Sequence, residues 1–148
     1  MKAAQRVFFF LVMALVLAAA SPVFASSLQA EVLYYVNAER AAAGLLPVEL
    51  NGDMIRGAVI RAKEAQVSFA HQRPDGSDVK SVLEKNCGWF GENLAVSQAS
   101  DARRIVKAWM GSPTHRANIL SRHYAYMGVD CQRGADGHYY WSLLFAGA

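Results

Sequence analysis

The sequence predicts an α+β domain, with helices packed around a small, largely antiparallel sheet. Three stretches carry an apolar face at helical spacing, two strand candidates close the chain, and Gly134-Ala135-Asp136-Gly137 joins those two as a hairpin turn. The 148 residues suit one domain, and there are no internal repeats, low-complexity tracts or linkers to divide them.

The first 25 residues stand apart, because 20 of them are apolar. Lys2 and Arg6 precede a 14-residue apolar run over 7–20, followed by Ser21-Pro22 and Val23-Phe24-Ala25. A charged, then apolar, then small-residue pattern is that of a secretory signal peptide. The run is shorter than the ~20 residues a membrane span needs. The expected organisation is therefore a signal peptide at 1–25, cut after Ala25 with Ala20 as the alternative, and a single domain at 26–148. No membrane span should remain after cleavage, and no cysteine at the cut offers a thiol for lipid attachment.

Ser26 or Ser27 can cap a first helix to about Ala43, stopped by Gly44, with Leu28, Val32, Tyr35 and Val36 on one face. After Pro47, Asn51 can cap a second helix with Met54, Ala58, Ala62 and Ala65 inward, fading near His71 before the turn Arg73-Pro74-Asp75-Gly76. A short helix is expected at 79–85, then an extended segment from Gly88 and Gly91 through Val96. Ser100 caps a third clear helix at 101–110 with Ile105, Val106 and Trp109 inward. Ser112-Pro113 opens a helical turn containing His115, proline costing nothing where the N–H has no partner. Strands at 124–131 and 138–145 complete the set.

Charge excludes one partner class. Without the leader, 13 Lys and Arg face 12 Asp and Glu, and no basic cluster beyond the pair Arg103-Arg104 offers a phosphate-binding stripe. Nucleic acid is not an expected partner. The two cysteines, Cys87 and Cys131, are too far apart in sequence for a C-x-x-C redox or zinc motif, and an oxidising compartment favours pairing them over leaving two buried thiols.

Three residues carry candidate chemistry. His71 follows the second helix, and His115 lies in a first helical turn, whose dipole favours neutral imidazole. Glu92 stands between Gly91 and Asn93 at the start of an apolar strand, where a carboxylate needs a partner. Two histidines and one acid suit either metal binding or proton transfer, although spacing alone does not bring them together.

The segments VNAER (36–40), FAHQRPDGS (69–77), GENLA (91–95), WMGSPTHRANIL (109–120) and YMGVD (126–130) follow one another in the order found in CAP proteins. These are the cysteine-rich secretory, antigen 5 and pathogenesis-related proteins. The chain most resembles their short bacterial secreted members, often termed SCP-like, over nearly all of the expected mature domain. The resemblance implies an α-β-α sandwich with a central cleft, in which His71 matches the first cleft histidine, Glu92 the first acid and His115 the second histidine. A second cleft acid in many members falls three residues after the helix tryptophan; here that position is Ser112, so the acid set is incomplete.

The resemblance further implies a divalent ion such as zinc on His71 and His115, with Glu92 or water completing the set. Some members also join the segment before GENLA to the strand after the MGV-type motif, implying a Cys87–Cys131 disulfide. Three functions follow as expectations. One is a secreted binding module, extracellular or periplasmic, taking a small ligand, lipid or cell-envelope component, with Trp89, Phe90 and Tyr124 either near the cleft or in the core. A hydrolase would use His71 or His115 as base, Glu92 beside them, and Ser112 or Thr114 as nucleophile. The third is a structural or adhesive envelope protein. No H-E-x-x-H occurs, which leaves a zincin protease without support.

Overall fold

A computed structural model describes residues 27–147, so the leader and its cleavage site lie outside the described residues. The element order is α1 (Ser27–Ala42), β1 (Glu49–Leu50), α2 (Gly52–Glu64), a 3-10 turn (Val79–Val82), β2 (Trp89–Ser97), α3 (Ala102–Met110), α4 (Pro113–Ile119), β3 (Tyr126–Arg133) and β4 (Tyr139–Gly147). The four strands form one sheet in the order β1-β3-β4-β2. β3 and β4 form the expected antiparallel hairpin, β2 runs antiparallel along the far side of β4, and β1 lies parallel to β3.

Alternation along β4 divides the core into two layers. Trp141, Leu143 and Phe145 pack with Val32 and Val36 of α1, Ile105, Val106 and Trp109 of α3, and Ile119 of α4. Leu144 and Ala146 face the other way, onto Met54 and Ala58 of α2 and onto Val82. The result is an α-β-α sandwich, because a sheet apolar on both faces must be covered on both. At Gly128 of β3 the start of α2 lies so close that any Cβ would run into the backbone of Met54 and Ile55.

Local rules explain most element ends. The Asn51 side chain accepts from the amides of Asp53 and Met54 and so opens α2. That helix ends at Glu64, earlier than its apolar spacing suggests, and 65–78 form turns. The short helix expected at 79–85 is a single 3-10 turn capped by Asp78. Asp101, and not Ser100, caps α3 by accepting from Arg104 N. Ser112 occupies the cap position of α4 with Pro113 in the first turn, but makes no side-chain cap bond. Tyr124 precedes β3; its ring stacks on Phe145, and its hydroxyl donates to the Phe90 carbonyl.

The expected Cys87–Cys131 disulfide does not form, and both thiols are free. Cys131 pairs across the ladder with Trp141, whereas Gly88, next to Cys87, bonds to Gly147 at the other end of β4. Six residues along a strand span about 20 Å, far beyond disulfide reach. The two side chains also pack on opposite faces of the sheet.

One edge of the sheet is β2, and its carbonyls at every second residue are taken by side chains. Tyr124 Oη donates to Phe90 O (3.0 Å), Asn118 Nδ2 to Glu92 O (3.2 Å) and Trp109 Nε1 to Leu94 O (3.4 Å). These three bonds tie β2 to the α3–α4 layer and fix the strand that carries Glu92.

Candidate functional site

Glu92 projects from β2 toward α2, where a buried arginine meets it. Arg61 lies on the same stripe as Met54, Ala58 and Ala62 and is fully buried. Its Nε donates to Glu92 Oε2 at 2.7 Å and its Nη2 to Oε1 at 3.2 Å, a fork-on-carboxylate pair. Nη1 donates to Glu64 Oε2 (2.7 Å) and Nη2 to the Ala70 carbonyl (2.6 Å). Glu64 Oε1 in turn accepts from Arg73 Nε (2.9 Å) and Nη2 (2.7 Å), and Arg73 Nη1 donates to Ser81 Oγ (2.8 Å). Burial pushes the Glu64 carboxyl up, but the hydrogen bonds and charges of Arg73 and Arg61 outweigh it and hold the group below the usual carboxylate range. This chain of charges fastens the 65–81 segment, which has little helix or strand of its own.

His71 hangs from that segment. Its Nδ1 lies 2.9 Å from Glu92 Oε1. With Arg61 also donating to Glu92, the carboxylate accepts and His71 Nδ1–H donates. The neutral ring is thereby set in the tautomer whose lone pair is on Nε2. The His71 side chain is 66% exposed, against 3% for Glu92, so a buried orienter holds an open imidazole.

His115 approaches from the other side of β2. The amide of Asn93, fully buried, donates to the His115 carbonyl (3.0 Å) and accepts from Asn118 Nδ2 (2.8 Å), fixing the first turn of α4 against the strand. The imidazole is half-buried. Burial, and next the charge of His71, hold its pKa below the ordinary imidazole range, which favours the neutral, ligand-ready form. Thus the structure joins His71 to Glu92 directly and sets His115 within electrostatic reach of His71, without a hydrogen bond between its ring and Glu92. Among the described residues, no group of three or more His, Cys, Asp or Glu is arranged to hold a metal ion.

Ser112 Oγ faces Thr114 Oγ1 at 3.5 Å, and neither hydroxyl bonds to His71 or His115. Of the three aromatic candidates, Tyr124 is buried and Phe90 packs against the α2 layer, while Trp89 is half exposed and stacks on His123. Val67 and Phe69, on the segment between α2 and His71, are also exposed. Sequence reasoning missed Arg61, Glu64, Arg73, Asn93 and Asn118. A signal existed for Arg61, a charge three residues after Ala58 on an otherwise apolar stripe.

Residues 33–145 match the cysteine-rich secretory protein family, CAP. YkwD of Bacillus subtilis, described as uncharacterized, is 32% identical over 114 residues, covering 74% of this chain and 44% of that protein. The chain therefore spans less than half the length of this relative. An extracellular SCP-domain protein from Bacillus anthracis shares the fold with a TM-score of 0.71 at 21% identity, covering 82% of this chain and 40% of that one. NaASP2, crystallised with Zn2+, matches with a TM-score of 0.62 at 13% identity over 82% of this chain and 80% of its own. The chain belongs to the cysteine-rich secretory protein (CAP) family.

Proposed function

We propose that this chain is a secreted binding domain whose cleft, flanked by His71 and His115, takes a small ligand or cell-envelope component with the help of a divalent ion such as zinc. The observation that carries the reading is the Arg61–Glu92–His71 relay. It spends a buried ion pair on fixing the tautomer of one exposed imidazole, the usual outer support of a metal-binding histidine. Both oxygens of Glu92 are engaged in that relay, so Glu92 serves as orienter and not as the third ligand. The donor set fits an ion held by two imidazoles and water, a weaker site than one with three protein ligands. Such an ion would supply a positive anchor for a ligand oxygen.

Val67 and Phe69, exposed on the same short segment that carries His71, favour a ligand that is apolar in part, a lipid included. A hydrolytic reading has less support, because neither candidate hydroxyl is within reach of a histidine base. Export is part of the proposal and rests on the leader pattern and on the extracellular SCP-domain neighbour.

Calorimetric zinc titration tests the ion. At about pH 7.5, above the ordinary imidazole pKa, wild type should bind, His71→Ala and His115→Ala should lose binding, and Glu92→Gln should weaken it about tenfold. Lowering the pH toward about 5.5 should weaken binding, because protons compete with the ion for imidazole nitrogen. Equal binding by wild type and both alanine variants would overturn the reading.

A further inference from the structure

A second recess lies at the Trp89 end of β2. It encloses about 590 Å³ between the 44–47 loop and the 122–125 segment, and its lining includes Arg40, Arg122, His123, Trp89 and Leu46 but no aspartate or glutamate. Arg40 is 1% exposed, and its guanidinium donates only to carbonyls, those of Leu46 (2.9 Å), Ile119 (2.8 Å), Ser121 (2.8 Å) and Tyr124 (3.3 Å). No carboxylate within the described residues pairs with it or with exposed Arg122. Burial lowers the Arg40 pKa, with no acid opposing that shift. A concave site lined by one sign of charge concentrates the opposite sign.

The same recess has a flat apolar wall. Trp89 is held by His123, with ring centroids 3.8 Å apart and planes within 11° of parallel. Trp89 remains 49% exposed, and Leu46 beside it is 82% exposed. A fixed indole face next to unpaired cations is a two-part recognition surface, one part for charge and one for an apolar body.

We infer that this recess binds a small organic anion, a carboxylate or phosphate ester joined to a flat apolar group, with the oxyanion at Arg122 in the field of Arg40 and the apolar group against Trp89 and Leu46. Free metabolites and anionic lipid headgroups both carry this chemistry, and the inference commits to the soluble form. It is independent of the imidazole cleft.

Phenyl phosphate is a suitable probe. Trp109 and Trp141 are buried, so ligand-dependent tryptophan fluorescence reports chiefly on Trp89. Expected is saturable quenching by phenyl phosphate, no response to benzyl alcohol at the same concentrations, and weaker binding with added salt. Arg122→Gln, an exposed change with no bonds to lose, should weaken binding about fivefold with unchanged thermal unfolding. His71→Ala should leave it unaltered, which separates failure here from failure of the zinc reading. Binding of benzyl alcohol as strong as that of phenyl phosphate, unchanged binding in Arg122→Gln, or inorganic phosphate binding as well as phenyl phosphate would each overturn the inference. So would binding to phosphatidylglycerol vesicles with none to the soluble probe.

Discussion

Replacing Arg61 by methionine keeps an unbranched, apolar stem and removes the guanidinium and its charge. The change strips Glu92 of two donors at 2.7 and 3.2 Å, Glu64 of one at 2.7 Å, and the Ala70 carbonyl of one at 2.6 Å. Glu64 keeps Arg73, so the main cost falls on Glu92, whose side chain is 3% exposed and would keep only the His71 Nδ1–H as a side-chain donor. Breaking a buried pair from one side costs about 3–5 kcal/mol. At roughly 2.1 cal/mol/K per residue over about 120 residues, unfolding carries about 0.25 kcal/mol/K, so the melting temperature should fall by about 12–20 °C. Urea denaturation followed by circular dichroism would give the same loss through the midpoint at constant slope. The double variant Arg61→Met with Glu92→Gln should recover part of the loss, since it removes the stranded charge. A single variant within about 1 kcal/mol of wild type, or a double variant no more stable than the single, would refute the argument that Glu92 depends on Arg61.

Acid should destabilise the protein in two steps. His115, held below its ordinary pKa, contributes stability that is full above about pH 6.5 and lost as pH falls from there, so His115→Asn should flatten that part of the stability curve. Glu64, also held low, contributes stability present above about pH 4.5 and lost below it, a limb that Arg73→Gln should shrink. Thiol counting in denaturant should find two free cysteines. In native protein half-buried Cys87 should react with iodoacetamide well before Cys131, whose pKa is pushed up to about 12 by burial and next by Asp130. Gly128→Ala should abolish or severely destabilise folding in thermal melts, because the added methyl has only the backbone of α2 to displace.

The periodic parts of the chain were legible. Met54, Ala58, Ala62 and Ala65 announce the buried face of α2, as Ile105, Val106 and Trp109 do for α3, and all seven are buried. The β3–β4 pair followed from its turn. What stayed hidden depends on pairing across distance. β1 has two residues and shows no period, and it exists because β3 offers it a parallel edge. The stretch after Glu64 reads in sequence as the fading end of α2 up to about His71, yet the chain turns after Glu64 so that Arg73 can reach back to it. The motif likeness picked out His71, Glu92 and His115 one by one. It could not say that Glu92 answers to Arg61, because that link joins a helix to a strand 31 residues later. The disulfide expectation failed for a related reason, since sequence order carries no information about which face or which end of a sheet a cysteine occupies.

The carbonyl capping along β2 bears on how the protein behaves at high concentration. An open sheet offers its outermost backbone groups to any passing chain, and exposed edges are the usual route to fibrils and unwanted oligomers. Here the β1 margin is too short to template a neighbour, and the β2 margin has the oxygens of Phe90, Glu92 and Leu94 already claimed from within the same molecule. An incoming strand would have to evict a tyrosine, an asparagine and a tryptophan in succession. The contacts that hold the cleft strand in register therefore also keep separate copies from stitching together.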